Sequence, residues 1–330
     1  MTLGFSHYAQ EAPARLALAA PDGRHWSRGE LQAKCNRIAH GLRQLGLQPG
    51  DRIAAMLPNC AEFLALKLAT AQIGCELLLI NLEHEASQVA AALKETGVWT
   101  FIAHENVAYI AQHATVDAGF PMSAAYALGT IPDFRSFQLL VDRQVESPPK
   151  NCAREAPSEL LALLDIQPEA DNTHYCGLPL YQREVMDWAS QSLNYGHAVV
   201  LAEQWDPLHM LQAIDQYRVT TCVMVPAQFE RLLKLPQAAR ERFDVSSTRH
   251  VVNITAPCPQ KIKQEMAAWW GESIYEHFTE AYTGNQFDCW GYRDKTDRSH
   301  VEGHQLVQEI NRRNELGELV DAQRNETKSH

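Results

Sequence analysis

The sequence lacks several features that would assign it to a class at once. Its eight cysteines include no CxxC pair, and no run of basic residues is long. No apolar stretch approaches the ~20 residues that a bilayer span requires. The N-terminus has no basic region followed by an apolar core, so no secretory signal is predicted. These absences favour a cytoplasmic protein whose thiols are buried singly in apolar surroundings.

Charge and hydrophobic content set further limits. The 330 residues include 40 acidic and 29 basic side chains, a formal net charge of -11, and 45% are hydrophobic. A chain of this size and apolar content is expected to bury a large core, which excludes intrinsic disorder as its main state. The acidic balance argues against nucleic acid as a partner, and no membrane span is expected.

Common catalytic motifs are also missing. No GxGxxG or GxxxxGK[ST] loop is present, and no GxSxG elbow offers a serine nucleophile. The pairs His84-Glu85 and His104-Glu105 have no second histidine at the spacing of a zinc-binding helix. The residues alone therefore predict no metal site.

The hydrophobic pattern alternates between strands and helices. Apolar residues at helical spacing follow Ser27, the predicted N-cap, and Gly46 ends that helix. Strands and helices then alternate from DRIAAM to VWTFIAHE, and again from HAVVLAE to SIYEHF. This order predicts an α/β fold of two doubly wound, mostly parallel sheets packed together with helices on their faces.

The same pattern divides the chain into four regions. Residues 1–118 are predicted to form a first α/β subdomain and 119–172 a linker or irregular crossover rich in proline and polar residues. Residues 173–287 form a second α/β subdomain, and 288–330 a degenerate C-terminal stretch that ends in a frayed tail.

Three stretches carry a specific resemblance. They begin with SRGELQAKCNRIAHGLRQLG, GLPLYQREVMDW and SSTRHVVNITAP. In this order they resemble the large N-terminal domain of the adenylate-forming, or AMP-binding, ligases, most closely the acyl-CoA synthetases. The resemblance implies attack of a carboxylate on the α-phosphate of ATP to give an acyl adenylate. Transfer of the acyl group to a thiol, usually CoA, follows.

The chain departs from this family where the phosphates of ATP should be held. The family has a flexible Ser/Thr/Gly-rich loop with a Lys some tens of residues before its PLYH motif, which steadies the departing pyrophosphate. Here LLALLDIQPEADNTHYCGLPLYQ runs through that region with no Lys, one Thr and one Gly. The loop and the helix after it are therefore expected to be deleted.

The adenine position departs as well. The family has a glycine there that lets the base lie close to the backbone, but VVNITAP places Ile254 or Thr255 at that position. A β-branched side chain would fill the space that the base needs. The nucleotide-binding remnant that the resemblance implies is Ile254, Thr255, Ala256, Pro257 and Tyr282.

The magnesium position is the third departure. The family's Thr-Glu pair falls on Ala281 and Tyr282 in an ungapped alignment, and neither can bind a hard cation. Thr279 and Glu280 lie two residues earlier, and a slip of two residues along a strand preserves the face. They are the fallback catalytic pair, with Glu280 as the fallback metal ligand. Beyond NELGELV, the ribose-binding Asp and the C-terminal domain with its catalytic Lys are expected to be missing.

The acyl pocket is the part of the family's site whose motifs this sequence largely retains, although Gln182 replaces the family's usual His. The residues implied to line it are Tyr181, Gln182, Trp188, Val225, Pro226, Gln228 and Phe229. Apolar walls with a few polar groups suit a fatty or aromatic acyl chain. The same residues equally suit a packed core where helices meet the sheet.

Two functional interpretations follow. The first is an acyl-CoA-synthetase-like pseudoenzyme, a non-catalytic acyl-binding or interaction subunit with no expected cofactor. Its implied partners are an acyl chain or acyl-CoA, a full-length ligase, a carrier protein or a second copy of itself. The alternative is an active AMP-forming acid-thiol ligase that uses ATP, Mg and CoA and is completed by a partner chain. Loss of one transition-state donor typically costs about 10²–10³ in rate, and several are missing here, which favours the first.

Overall fold

The computed structural model describes residues 4–152, 161–162, 164–168, 171–254, 256–271, 273–280 and 284–289, and from residue 276 onward it describes the backbone. The helices in this part of the chain are α1 (Phe5–Glu11), α2 (Arg28–Gln44), α3 (Ala61–Ile73), α4 (Ala86–Glu95), α5 (Ala108–Ala118), α6 (Gln138–Val141), α7 (Arg183–Asn194), α8 (Pro207–Tyr217), α9 (Pro226–Leu233), α10 (Gln237–Arg240) and α11 (Gln260–Trp270). The strands are β1 (Leu16–Ala19), β2 (His25–Ser27), β3 (Arg52–Met56), β4 (Glu76–Leu79), β5 (Thr100–His104), β6 (Ala125–Leu128), β7 (Arg135–Ser136), β8 (Thr173–Cys176), β9 (Ala198–Leu201), β10 (Thr221–Met224), β11 (His250–Asn253), β12 (Ile274–Glu280) and β13 (Gly284–Cys289).

The described strands form two sheets. The larger sheet has the order β13-β12-β11-β10-β8-β9-β1-β2, and the smaller sheet has the order β4-β3-β5-β6-β7. Pairing is parallel except for the β1–β2 and β12–β13 pairs, which lie at the two ends of the larger sheet. The predicted α/β architecture of two mostly parallel sheets is confirmed.

Sheet membership departs from chain order at two places. Strands β1 and β2, near the N-terminus, belong to the larger sheet, where Leu18 lies opposite Val199 of β9. Strands β6 and β7 lie within 119–172, the expected linker or crossover, and extend the smaller sheet. These strands have two to four residues each. Segments this short show no clear period in the sequence.

Successive side chains of the strands face different apolar cores. Ile53 and Ala55 of β3 face a central core between the two sheets, whereas Ala54 and Met56 face a core shared with α4 and α5. Helices α2, α3 and α7 contribute to the central core, and the far face of the larger sheet packs on α8, α9 and α11. The layers therefore run helix, sheet, helix, sheet, helix.

The ends of the first long helices follow local sequence signals. Ser27 caps α2 as predicted: its Oγ accepts the Glu30 N–H at 3.2 Å, and Glu30 Oε2 accepts the Ser27 N–H at 2.8 Å. The hydrogen bond from the Ser27 backbone lowers the pKa of the Glu30 carboxyl. Helix α3 ends at Gly74, whose φ of 73° is left-handed and suits glycine.

Two expectations from the sequence, the lack of a membrane span and the burial of the thiols, can be compared with the structure. No helix in the described part of the chain is long and apolar enough to cross a bilayer. The cysteines whose side chains are described divide into buried Cys35, Cys75, Cys176, Cys222 and Cys258, half-buried Cys60 and exposed Cys152. The predicted burial of thiols is thus confirmed for most of them.

Candidate functional site

The predicted site motifs meet at one edge of the larger sheet. Strands β8, β9, β10 and β11 run parallel, so their carboxyl ends lie along the same edge. The LPLYQ loop follows β8, VPAQ follows β10, and NITAP begins at the last residue of β11. Because β10 pairs with both β8 and β11, the three motifs occupy neighbouring positions. This carboxyl edge is where ligands bind in open α/β sheets.

Asn59 joins the carboxyl edge to the smaller sheet. It follows β3 and is 8% exposed. Its Nδ2 donates to the carbonyl oxygens of Leu178 at 3.0 Å and Ala202 at 2.9 Å, and its Oδ1 accepts the Leu180 N–H at 2.8 Å. No motif marked Asn59 in the sequence. A polar residue directly after an apolar strand and a proline is the signal that could have found it.

The predicted acyl-binding residues divide between the two faces of the larger sheet. Tyr181 and Val225 are half-buried and pack against the central core, which contains Trp188. Phe229 belongs to the core on the opposite face. Because a sheet separates its two faces, Phe229 and Trp188 do not line one common surface. The structure brings Tyr181, Trp188 and Val225 to the same core, and their role in acyl binding stays a prediction.

Trp188 is packed against a buried histidine. The rings of Trp188 and His174 stack, with centroids 6.0 Å apart and planes at 9°. His174 Nδ1 lies 3.0 Å from Thr221 Oγ1, and burial lowers the pKa of His174 to about 3, so the ring is neutral at neutral pH. Among the described residues, His174 Nε2 and Trp188 Nε1 have no hydrogen-bond partner.

The polar residues predicted beside the acyl chain belong to helix N-termini. Gln182 is the N-cap of α7, and its backbone N–H donates to the Pro179 carbonyl at 3.0 Å. Gln228 Oε1 accepts the Val225 N–H at 3.1 Å and so closes the first turn of α9, which begins at Pro226. This oxygen of Gln228 is therefore used within the helix cap.

The nucleotide-binding remnant begins inside the central core. Ile254 is fully buried there, directly after β11. Ala256 and Pro257 are exposed at the carboxyl edge. Thr255 and Tyr282 lie outside the described residues, so their predicted places in the site stay predictions.

The fallback metal pair lies at the end of a strand. Thr279 and Glu280 are the last residues of β12, and their backbones pair with Asn285 and Gly284 of β13. Ala281 lies outside the described residues. Within the part that is described, no group of three His, Cys, Asp or Glu side chains is placed to hold a metal ion. The magnesium role of Glu280 stays a prediction.

The segment before β8 contacts the opposite, amino-terminal edge of the larger sheet. His197, directly before β9, has its Nε2 2.9 Å from the Gln167 carbonyl oxygen. The ring of His250, the first residue of β11, lies close to the Leu164 backbone, which raises the pKa of His250, while burial, the larger cause, lowers it. Leu164 and Ile166 are buried in the central core. Leu164 and Gln167 therefore lie at the edge of the larger sheet away from the motifs.

Curated relatives match most of the chain. The 4-coumarate–CoA ligase 3 of Arabidopsis thaliana is 26% identical over 74% of this chain and 48% of the ligase. The fatty acid–[acyl-carrier-protein] ligase ScoC of Streptomyces coeruleorubidus is 23% identical over 92% of this chain and 61% of the ligase. The chain spans about half the length of the curated relatives it matches.

Solved structures share the fold. The amide bond synthetase McbA from Marinactinospora thermotolerans superimposes with a TM-score of 0.69 at 20% identity, over 85% of this chain and 60% of that one. The N-terminal domain of FACL13 from Mycobacterium tuberculosis gives a TM-score of 0.69 at 20% identity, over 84% of this chain and 75% of that one. The family described as AMP-binding enzyme matches residues 5–163 and 149–301. By sequence match and by fold, the chain belongs to the AMP-binding enzyme family.

Proposed function

We propose that the chain is an acyl-CoA-ligase-like protein that has lost most ATP- and Mg-binding motifs and binds an acyl chain or acyl-CoA without activating it. The observation that carries this proposal is the composition of the segment before β8 and of the loop after it, because residues 151–182 contain no Lys and one Gly. That segment contacts the amino-terminal edge of the larger sheet at His197 and His250. In an open parallel sheet, a nucleotide would bind at the other edge.

A phosphate-binding site at the carboxyl edge would need hydrogen-bond donors and a cation there. Residues 151–233 contain no Lys, and Arg183, directly after the LPLYQ loop, pairs with Asp187 at 3.8 Å. Strand β8 has four residues, so the two edges of the sheet are about 13 Å apart at ~3.3 Å per residue. The described residues Leu164 to Gln167, at the amino-terminal edge, include no Lys or Arg that could neutralise a triphosphate.

The pattern of the family match supports a deletion at this place. The family matches the chain as two segments, 5–163 and 149–301, rather than as one. Both segments include residues 149–163, which lie directly before the buried Leu164. This break is expected if a loop and its helix have been removed from an otherwise continuous domain.

The predicted acyl-binding residues at the carboxyl edge support retained binding of an acyl chain. Leu178 and Leu180 are buried in the central core, and Tyr181 and Val225 lie at its margin. Burial raises the pKa of the Tyr181 phenol, and the Glu83 carboxylate raises it further, so the phenol stays neutral. A neutral wall with one hydroxyl group suits an aliphatic or aromatic acyl chain. Fatty acids and 4-coumarate, named in the relatives, are the two acyl classes to test.

One observation favours the alternative, an active AMP-forming ligase completed by a partner chain. Glu280 ends β12, which runs parallel to β11, so its backbone lies toward the carboxyl edge with the motifs. Carboxylate oxygens are ligands that magnesium prefers. In this alternative, ATP, magnesium and CoA are bound jointly with a full-length ligase, a carrier protein or a second copy of the chain.

Calorimetry with ATP and magnesium chloride, together with an assay of pyrophosphate release, tests the proposal on the purified chain. With octanoic or 4-coumaric acid we expect no pyrophosphate above background, no ATP binding at millimolar concentration, and binding of octanoyl-CoA. Pyrophosphate release by the chain alone would overturn the proposal. Glu280→Gln is the matched variant, because its loss of such activity would assign the metal site to this chain. Activity that appears only with an added ligase or carrier protein would favour the alternative.

A further inference from the structure

Two chain segments, the loop after β8 and the end of β9, converge on the side chain of Asn59. Its Nδ2 donates to Leu178 in the loop after β8 and to Ala202 after β9, while its Oδ1 accepts from Leu180. The three donor–acceptor distances are 3.0, 2.9 and 2.8 Å. A buried group that makes three such bonds holds its partners in one relative position. Asn59 therefore links the carboxyl ends of the smaller and larger sheets.

The chemistry of this contact requires an amide of this length. An aspartate at position 59 would keep the acceptor for Leu180 but place a carboxylate beside two carbonyl oxygens. An alanine would leave two carbonyls and one N–H without this partner, in a place that is largely closed to water. The substitution of Asn59 is thus expected to release both the loop after β8 and the end of β9 from the end of β3.

The loop that Asn59 holds has little room on its other side. Gly177 begins the loop, and an added Cβ there would lie 2.7 Å from ring carbons of both Trp205 and Tyr175. Leu180, at the Asn59 end, is fully buried, and Tyr181 follows it directly. The position of Tyr181 is therefore set by an aromatic pair on one side and by Asn59 on the other.

We infer that Asn59 is a positioning residue that sets the depth of the acyl-binding wall and, through it, the preference for acyl-chain length. It acts through Leu180 and Tyr181, because its own polar atoms are occupied by the three hydrogen bonds. The inference rests on the proposed function, in which this wall contacts the acyl chain. It adds a residue of the smaller sheet to the determinants of specificity.

Two Asn59 variants and one matched control in the full chain test the inference. Asn59→Ala removes all three bonds, and Asn59→Ser keeps a hydroxyl that can form one of them. Asn36→Ala is the control, because Asn36 is 2% exposed and its Nδ2 donates to the Glu146 carbonyl, outside the motif loops. Calorimetry with octanoyl-CoA and butanoyl-CoA measures the ratio of the two affinities. We expect the Asn59 variants to lower this ratio about tenfold and Asn36→Ala to leave it unchanged.

Hydrogen exchange followed by mass spectrometry is a second readout that needs no ligand. We expect faster exchange in peptides that cover 177–182 and 202–206 in both Asn59 variants, and no change there in Asn36→Ala. If both affinities fall in step and their ratio stays constant, Asn59 has only a structural role and the inference is wrong. If the natural chain binds neither CoA ester, the proposed function fails. In that case, unchanged exchange at 177–182 would separately overturn the positioning role, and faster exchange would uphold it. Should Asn59→Ala not fold, Asn59→Ser carries both tests.

Discussion

His197 Nε2 lies 2.9 Å from the carbonyl oxygen of Gln167, which ties the start of β9 to the segment that precedes β8. Burial lowers the pKa of His197 to about 4, and burial lowers the pKa of His174, on the neighbouring strand, to about 3. Both imidazoles are therefore neutral at neutral pH. The hydrogen bond to Gln167 favours the protonated ring of His197, so burial is what keeps this ring uncharged.

Acidification is expected to destabilise the fold through these two histidines. Their pKa is lower in the folded chain than the ordinary value of 6.5, so the unfolded chain binds protons first as the pH falls. Stability is complete above about pH 6.5 and declines below it, by up to about 1.4 kcal/mol per pH unit for each histidine, until His197 titrates near pH 4. Urea unfolding across this pH range measures the free energy of unfolding.

A matched pair of variants assigns that pH dependence. His197→Gln removes one titrating group and is expected to flatten the slope. His209→Gln, at an exposed position on α8, is expected to leave the slope unchanged. If the free energy of unfolding depends on pH equally in both variants, folding does not lower the pKa of His197.

Truncation of Trp188 tests whether this residue is core or pocket wall. Its side chain is 1% exposed, and Trp188→Ala is expected to lower the free energy of unfolding by about 3–5 kcal/mol through the cavity it leaves. Trp99→Ala is the control, because Trp99 is 52% exposed and its loss is expected to cost within about 0.5 kcal/mol. Chemical denaturation measures both. A Trp188→Ala cost as small as that of the control would place Trp188 at an open cavity.

A tight contact between α2 and α6 predicts the effect of adding one methyl group. An added Cβ at Gly41 would overlap the Leu140 carbonyl oxygen. Gly41→Ala is therefore expected to destabilise the chain by about 1–3 kcal/mol, although alanine favours helices more than glycine. Gly29→Ala, in the same helix, places its Cβ 3.2 Å from Pro13 Cβ and should cost less. Thermal unfolding compares the two, and the reverse order would contradict the close approach.

The thiol beside Asn59 is expected to be unreactive. Burial and, to a smaller extent, the Glu62 carboxylate raise the pKa of Cys60 to about 12, so little thiolate forms at neutral pH. Iodoacetamide should label the exposed Cys152 of the folded chain and spare Cys60, as read by peptide mass spectrometry. Labelling of Cys60 before Cys152 would show that Cys60 has nucleophilic character that the structure does not provide.

The local signals in the sequence predicted many elements but missed others for identifiable reasons. Ser27 and Gly74 mark helix ends that can be read directly, because a capping hydroxyl and a left-handed residue act within a few positions of the chain. Strand β8 and helix α7 had no predicted counterpart. Strand β8 has four residues, too few to show a period, whereas Val185, Trp188, Ala189 and Leu193 of α7 do repeat at helical spacing and could have predicted that helix.

The candidate site was predicted as motifs rather than as a surface. The family resemblance assigned LPLYQ, VPAQ and NITAP to one site, and the structure places the strands that precede them side by side. The sequence could not tell that Phe229 and Trp188 face opposite sides of the larger sheet. Which face a helix residue contacts depends on how the helix crosses the sheet, and that is a long-range property.

The sequence by itself determined the fold class, the family and the absence of Lys from residues 151–233, because these depend on residue type, order and spacing. Only the tertiary structure decided that Asn59 bonds to loops more than a hundred positions away and that Leu164 to Gln167 lie at the amino-terminal edge. Contacts between distant segments arise from the packing of whole layers, and no local pattern of side chains records them.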